Sequence, residues 1–548
     1  MSSDSDRVAF DESVSAQDNT VLFQQKRWTY ITDTSSQNGQ FSGQLQFDLN
    51  TLSSQNQWTD LSQAYIQFPV KLSIKNTGAG AQTPALCDAF AATIKNGFHQ
   101  FVDSVSIVLG GANIQSSQIF ENVNATYKML SEFSSEELRK YGPTLGLGLD
   151  DYVLPSDTTP TTAAGGLDNV PVGTLIPVVR GTVLPAATNT GFKERAHMYN
   201  GISTGASGSI LGANATAIGK SRVSVDGDAV NQNEDAFVLF ALGTIRLKDV
   251  SDALAKIPLV KGMKGFIYVN YNAATSQFVL NGSNVYTSAI NTATFGRCMP
   301  AMLGSFTPAA AATGTWTFTA EISGTASSNL SSVKPPFTNA RLFAPYYIGS
   351  PEIDRSLSNR KTVRYHERFV STFEIDPNGN FTGTLSSGIT NPKRVILLPT
   401  FKNDGANTVS NIPTNPLLSP WSHEGTGGSS PFAALKDLQI TVGGQPMWQG
   451  PVSFDYENFL QEVSQQGLDG GLVSQTGSGL LNQRLWNQLY RYYTCDISRR
   501  MGADDGASKA VQVSCSNATG IKMSVIAMIW YEREITIDTA MGQITQSL

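Results

Sequence analysis

The sequence predicts an all-β protein built from two tandem β domains, because two short patterns occur twice in the same order. Residues 38–45 (NGQFSGQL) match residues 378–385 (NGNFTGTL) at five of eight positions. Farther along each copy, VSIVLGG at 105–111 resembles LQITVGG at 438–444. Upstream, Arg27-Trp28 and Arg368-Phe369 hold the same place in each copy. Ordered matches at similar spacing indicate a domain that is present twice.

The repeated element is typical of a hairpin turn and its outgoing strand. Asn-Gly between alternating apolar runs is a turn signal. Residues 41–49 (FSGQLQFDL) alternate as a strand with one buried face does. Strands are predicted in the first half at 28–32, 41–50, 64–74, 101–109, 237–247, 265–270, 316–322 and 340–347. In the second half they are predicted at 362–375, 381–385, 394–399, 438–442, 511–513 and 524–538.

Three short helices interrupt the β pattern. Ser134 followed by Glu136 and Glu137 supplies a cap and first-turn acids for a helix over 134–141. Apolar residues at helical spacing predict two more helices, over 455–466 and 480–493, each packing one face on a core.

The length of 548 residues exceeds one ordinary core and fits two large domains. We predict an N-terminal arm over 1–25, a first domain over 26–354 and a second domain over 355–548, with the boundary in the segment 348–360. Residues 150–235 are rich in Gly, Ala, Thr and Asn, so long surface loops are expected there. Similar loops are expected at 400–432.

Charge argues against a protein that coats nucleic acid. The net charge is −6, whereas such proteins need clustered Lys and Arg. The arm is acidic and expected to be flexible until a partner orders it. It has a single Arg7 within residues 1–20 against Asp4, Asp6, Asp11, Glu12 and Asp18. Because the arm lacks the features of a secretory signal, we expect a soluble product made inside a cell and not secreted.

No motif for catalysis, cofactor binding or metal binding is found. The segment 218–221 (IGKS) has Asn214 where a phosphate loop needs Gly, and 425–430 lacks the last Gly of a dinucleotide fingerprint.

The histidines are isolated in sequence, and the clustered acids beside 134–141 are expected to be solvated. The cysteines are widely spaced, which predicts free thiols. The histidines are His99, His197, His366 and His423; the acids are Glu132, Glu136, Glu137, Asp150 and Asp151; the cysteines are Cys87, Cys298, Cys495 and Cys515.

Segments spread over nearly the whole chain resemble the double jelly-roll major capsid proteins of the polinton-like virus, virophage and adintovirus group. They include WTY at 28–30, IKNGFHQ at 94–100, ARLFAPYY at 340–347, GITNPK at 388–393, YRYY at 490–493 and SRR at 498–500.

This resemblance implies two tandem jelly-roll β-sandwiches with long loops, and a structural role without catalytic, cofactor-binding or metal-binding residues. It implies a homotrimer that forms a pseudo-hexameric capsomer and tiles an icosahedral shell around a double-stranded DNA genome. The expected partners are other copies, neighbouring capsomers, penton and minor capsid proteins, without sequence-specific nucleic-acid binding. The expected location is the virion, and an internal membrane beneath the shell is left open.

Two alternatives stand beside this interpretation. One is a capsid protein with a single jelly roll and a projecting domain, which would not explain the repeated patterns. The other is a carbohydrate-binding or carbohydrate-active β-sandwich protein, which would need a surface aromatic platform or a carboxylate pair at catalytic separation.

Overall fold

The computed structural model describes most of the chain. The described residues are 23–36, 38–53, 57–82, 91–150, 190–197, 223–225, 230–280, 286–291, 296–304, 314–330, 335–357, 359–402, 416–418, 420, 433–465, 479–498 and 507–546. The predicted arm, apart from its last three residues, lies outside them, as do most of the loops expected at 150–235 and 400–432.

The first half of the chain contains sixteen strands in its described part. They are β1 (Phe23–Thr32), β2 (Gln44–Asp48), β3 (Trp58–Thr59), β4 (Tyr65–Asn76), β5 (Ala91–Ile94), β6 (Val102–Leu109), β7 (Ala112–Gln115), β8 (Val223–Val225), β9 (Asp235–Arg246), β10 (Val260–Lys261), β11 (Gly265–Tyr271), β12 (Ala274–Leu280), β13 (Tyr286–Asn291), β14 (Ala301–Gly304), β15 (Gly314–Ile322) and β16 (Arg341–Gly349).

The second half contributes nine strands to the described structure. They are β17 (Arg360–Ile375), β18 (Asn380–Ile389), β19 (Pro392–Phe401), β20 (Leu435–Val442), β21 (Gln445–Pro446), β22 (Tyr493–Asp496), β23 (Lys509–Asn517), β24 (Met523–Asp538) and β25 (Ile544–Gln546).

The α-helices of the described residues are short. They are α1 (Asn50–Ser53), α2 (Glu121–Glu132), α3 (Ser135–Leu145), α4 (Thr190–His197), α5 (Leu247–Val250), α6 (Asp252–Lys256), α7 (Pro351–Leu357), α8 (Tyr456–Gln465) and α9 (Gln483–Gln488). None of them is long and apolar enough to cross a membrane.

The second half is a jelly roll by its strand order. Its eight main strands, β17 to β24, form two antiparallel sheets with the orders β17-β24-β19-β22 and β18-β23-β20-β21. Numbered along the chain, these are strands 1-8-3-6 facing strands 2-7-4-5. This is the order of a double-sheet, eight-stranded jelly roll.

The first half repeats this order with insertions. Its main strands are β1, β2, β4, β6, β7, β9, β11 and β16; they pair as β1-β16-β4-β9 and as β2-β11-β6-β7. Between its seventh and eighth strands the chain inserts β12 to β15, and β15 extends the first sheet by pairing with the far half of β4. The predicted double jelly roll is therefore confirmed.

The repeated sequence patterns mark equivalent turns in the two jelly rolls. Asn38 and Asn378 lie between the first and second strands of each roll, with φ of 51° and 54°. Gly110-Gly111 and Gly443-Gly444 join the fourth and fifth strands, with φ of 56° and 86° in one roll and 57° and 84° in the other. Asn and Gly adopt this left-handed conformation most readily, which explains why the turn residues recur while most strand residues do not.

Two of the three predicted helices are confirmed, and the third is mostly wrong. The helix α3 begins after Ser134, which forms a complete capping box with Glu137, and α8 matches the prediction for 455–466. The segment predicted as a helix over 480–493 is helical only at α9, because Tyr493 starts strand β22, which pairs with β19. The helix α2 was not predicted.

The loops expected over 150–235 contain a buried element. Helix α4 lies in this region, and its Phe192 and Arg195 are fully buried. Arg195 forms an ion pair of 2.8 Å with Asp150, which is also buried, so the expectation that Asp150 is solvated is wrong. Cys298, Cys495 and Cys515 are free thiols, as predicted, and all three are buried; Cys87 lies outside the described residues.

Candidate functional site at the junction of the two jelly rolls

Buried polar side chains of the described structure concentrate where the two jelly rolls meet. We call this region the junction: it comprises residues 116–132 of the first roll and Tyr365–Arg368 on β17 of the second. Within the part of the chain that the structure describes, no group of His, Cys, Asp or Glu side chains could hold a metal ion.

Three consecutive residues of β17 bind the first jelly roll by hydrogen bonds. The Tyr365 hydroxyl donates to the backbone oxygen of Ile114 at 2.8 Å. The His366 amide donates to Asp252 Oδ2 at 2.7 Å. Glu367 accepts from the Ser116 amide at 2.9 Å and from its hydroxyl at 2.6 Å.

The next residue, Arg368, is held by three partners from the first roll. Its guanidinium donates to the backbone oxygens of Gln118, at 2.8 Å, and Phe120, at 3.1 Å. It also forms an ion pair of 2.5 Å with Glu121, whose side chain is fully buried, while that of Arg368 is 7% exposed. Phe120, with φ of 60°, turns the chain into α2 so that its carbonyl and the Glu121 carboxylate face the same guanidinium.

Burial acts on the pKa of both members of this pair. It raises the pKa of the Glu121 carboxyl, and the Arg368 charge and the Asn124 amide oppose that shift. It lowers the pKa of Arg368, and the Glu121 charge opposes that shift. Each charge thus stabilises the other where both are shielded from water, so loss of either partner destabilises the buried charge that remains.

Helix α2 belongs to the first jelly roll by sequence but completes the core of the second. Its residues Val123, Tyr127 and Leu130 pack in the hydrophobic cluster formed by the second roll. The Tyr127 hydroxyl also donates to Thr494 on β22 at 3.2 Å. In return, Ile535 and Ile537, at the end of β24, are part of the core of the first roll.

Described residues from the connections of the two rolls are in contact at one end. Lys95, which is 1% exposed, donates from Nζ to the backbone oxygens of Pro416, at 2.5 Å, and Leu417, at 3.0 Å. The Tyr490 hydroxyl of the second roll donates to Asp150 of the first at 3.1 Å. Each of these residues lies in a connection that follows the third or fifth strand of its roll.

The two rolls are also hydrogen-bonded to each other at the opposite end. The Lys261 amide, between the sixth and seventh strands of the first roll, donates to the Thr539 oxygen, just after the eighth strand of the second, at 2.8 Å. Connections after odd-numbered strands leave one end of a jelly roll, and those after even-numbered strands leave the other. The two rolls therefore stand side by side with equivalent ends aligned.

A small cavity of about 30 Å³ lies inside the junction, lined by Gln118, Asn124, Lys128, Asp252, His366 and Trp530. This volume is large enough for about two water molecules. The buried Asn124 Oδ1 has no hydrogen-bond partner in the described structure, which suits a water molecule. Trp530 packs under the Arg394 guanidinium, 4.1 Å from its ring centroid.

Sequence reasoning missed the junction because its partners are far apart in sequence, by 114 positions for Asp252 and His366 and by 251 for Ser116 and Glu367. The one sequence feature that could have indicated the junction is the pair of adjacent charges, Glu367 and Arg368, within a strand whose apolar residues otherwise alternate. Among the acids singled out from sequence, Glu137 caps α3, and Asp151 lies outside the described residues. Of the isolated histidines, His99 is buried and bonded to Thr126, and His366 lies in the junction.

No protein-family model and no curated protein matches the chain. Solved structures do match it over nearly its full length. A chain of the Sputnik virophage has 11% identity and a TM-score of 0.47, covering 97% of this chain and 90% of that chain. The mavirus major capsid protein has 10% identity and a TM-score of 0.44, covering 98% and 94%.

The Faustovirus major capsid protein has 10% identity and a TM-score of 0.42, covering 95% of this chain and 91% of that chain. These structural neighbours come from viruses, and two of the three are named as major capsid proteins. Because the identities and TM-scores are low, the fold assignment rests on this chain's own strand order.

Replacement of Arg368 is expected to weaken the junction strongly. Arg368→Ala removes the ion-pair partner of the buried Glu121 and the donor to the Gln118 carbonyl, so we expect a loss of about 3 kcal/mol in the free energy of unfolding. Arg364→Ala is the matched control on the same strand, because Arg364 pairs with Glu534 in solvent and its side chain is 69% exposed. Denaturant titration of both variants gives the comparison, and equal losses would contradict a special role for Arg368.

Stability is expected to fall as the pH drops from about 6.5 to about 4. Burial lowers the pKa of His366 from 6.5 to about 4, and the nearby Arg394 charge acts in the same direction. Between these values the unfolded chain takes up a proton that the folded chain does not, so acid favours unfolding. We expect His366→Gln to make the fall in melting temperature over this range shallower. A slope identical to that of the unsubstituted protein would show that His366 does not contribute.

Proposed function

We propose that this chain is a major capsid protein, a structural subunit without catalytic function. In this proposal three copies form a pseudo-hexameric capsomer, and capsomers tile an icosahedral shell around a double-stranded DNA genome. The support is the sequence resemblance, together with the double jelly roll that the strand order defines.

The observation that carries the proposal is the parallel, locked arrangement of the two rolls. A subunit with two similar rolls side by side supplies two adjacent corners of a hexagon, so three subunits around a threefold axis supply six. Closed cyclic assemblies of this kind are common among homo-oligomers. A hexagonal unit tiles a surface only if its corners keep fixed positions, and the buried contacts of the junction provide that rigidity.

The long excursions fit this role. The connections after the third and fifth strands of both rolls leave the sheets at the same end, and connecting segments tolerate more sequence variation than the strands that they join. We propose that this end forms the outer towers and that the flanks of the rolls contact neighbouring capsomers, penton proteins and minor capsid proteins. The protein would then reside in the virion and be assembled inside the host cell.

Within this proposal the chain divides into an arm over 1–25, a first jelly roll over 26–354 and a second over 355–548, joined near α7. The alternative of one jelly roll with a projecting domain is wrong, since the second half has the full jelly-roll strand order. The net charge of −6 supports contacts with proteins and not with bare DNA.

The test is the mass and shape of the purified protein, measured by light scattering and negative-stain microscopy. We expect a particle with three times the mass of the 58.8 kDa chain and a hexagonal outline, or closed shells. Arg364→Ala serves as a surface control that should assemble normally. A protein that stays monomeric across concentrations and salt conditions would contradict the capsid role and direct attention to glycan binding.

A further inference from the structure

The first jelly roll carries a cluster of partly exposed aromatic rings on the outer side of one sheet. Trp28 is 48% exposed and Tyr30 is 53% exposed. Their ring centroids lie 5.6 Å from that of Tyr65 and 5.7 Å from that of Phe343, respectively, and the last two rings are 5.0 Å apart. We call these four residues the aromatic face. A contiguous exposed apolar patch of this kind marks an interaction surface.

The strand register places this cluster on one side of the sheet. Tyr30 on β1 pairs with Phe343 on β16, and Phe343 pairs with Tyr65 on β4. Directly paired residues point to the same side, and Trp28, two residues before Tyr30, shares that side. The aromatic face thus crosses the first, eighth and third strands of its roll.

The second roll has an equivalent row on the same three strands. Val370 pairs with Met528, and Met528 pairs with Ile396. This row lies at the same distance from its Asn-Gly turn as the row of the first roll does. Here, however, Met528 and Ile396 are almost completely buried.

Helix α2 of the first roll covers the equivalent row. Thr494 continues the row by pairing with Ile396, and the Tyr127 hydroxyl donates to Thr494 at 3.2 Å. The next residue of α2, Lys128, has its Nζ 5.9 Å from the ring centroid of Trp530, which lies on the same side of β24. A helix from the adjacent roll therefore buries in the second roll the surface that stays exposed in the first.

Helix α8 is the counterpart of α2 in the second roll. Each lies between the fifth and sixth strands of its roll, and their starts match in sequence as FEN at 120–122 and YEN at 456–458. Glu457 thus takes the place of Glu121, which pairs with Arg368 in the junction. Within one chain, α8 has no further jelly roll to cover.

Charge complements this relation. Lys26 and Arg341 flank the aromatic face, at 5.6 Å from the ring centroid of Trp28 and 5.0 Å from that of Tyr30. The start of α8 carries two exposed carboxylates, those of Asp455 and Glu457. Opposite charges on two surfaces favour their association and fix its orientation.

We propose that the aromatic face of one copy binds the start of α8 of a second copy. This inference rests on the trimer proposed above and names the surfaces that form it. Each copy contributes one face and one helix, so the contact is head-to-tail and closes when three copies form a ring. Six rolls then repeat one kind of contact, alternately within and between chains.

Light scattering of the full chain and its variants over a range of concentrations tests this contact. We expect Trp28→Ser combined with Tyr30→Ser to raise the concentration at half-assembly about thirtyfold, because buried aromatic anchors dominate interface energies. Met541→Ser removes an apolar side chain that is 68% exposed outside the face and should assemble normally. An unchanged circular dichroism spectrum shows that each variant is folded.

Charge exchange tests the partner surface. Glu457→Lys should weaken assembly by setting a lysine against Lys26, and the double variant Lys26→Glu with Glu457→Lys should restore it.

Mixing two defective variants tests the head-to-tail geometry. At a concentration where each is monomeric alone, Tyr30→Ser still has an intact α8 and Glu457→Lys still has an intact face. Their mixture can form one such contact and cannot close a ring. We expect a particle with twice the mass of the 58.8 kDa chain.

Four results would overturn the proposal. Trimers of the Trp28 and Tyr30 variant at the concentration of the unsubstituted protein would remove this interface and leave the capsid role intact, whereas an unsubstituted protein that stays monomeric would remove both. Dimers of Glu457→Lys alone would show that two faces bind each other. Binding of an oligosaccharide to Trp28 and Tyr30 in the assembled trimer would show that the face is uncovered.

Discussion

The relation between the two jelly rolls depends on the burial of Arg368 against Glu121. A guanidinium and a carboxylate withdrawn from water are each costly, and the cost is offset only if both find good partners. Arg368 has three such partners, the Glu121 carboxylate and two backbone oxygens, and all three lie on the segment 118–121 of the first roll. These three contacts hold the segment 118–121 of the first roll against β17 of the second.

The packing around this pair has the same consequence. Helix α2 starts at Glu121 and continues directly into the core of the second roll, where Tyr127 meets Tyr492 with ring centroids 5.4 Å apart. The end of β24 supplies Ile535 and Ile537 to the core of the first roll. Each roll thus lacks part of its apolar core without the other, and a rotation of one against the other would expose apolar surface.

The features that could be predicted from the sequence, such as turns and helix caps, depend on residues close together in the chain. The Asn38-Gly39 and Gly110-Gly111 turns require backbone conformations that few residues adopt, so they recur in the second roll and reveal the duplication. Helix α3 was predictable from its capping residues, Ser134 and Glu137, for the same local reason.

Other features depend on contacts distant in sequence and could not be predicted. The segment 480–493 has apolar residues at helical spacing, yet Tyr490, Tyr492 and Tyr493 are buried in the second core, and Tyr493 begins the strand that pairs with β19. Helix α2 has buried polar residues on several sides, including Glu121 and Asn122, so it has no simple apolar stripe to detect. The junction follows from the packing of the rolls, and a single sequence does not contain that information in a local pattern.

The central claim is that the two jelly rolls form one rigid unit because they share core residues and buried charges. Differential scanning calorimetry of the full chain tests it most directly. The account predicts one cooperative transition whose calorimetric and van't Hoff enthalpies agree. Two separate transitions, each with the enthalpy of one jelly roll, would contradict it.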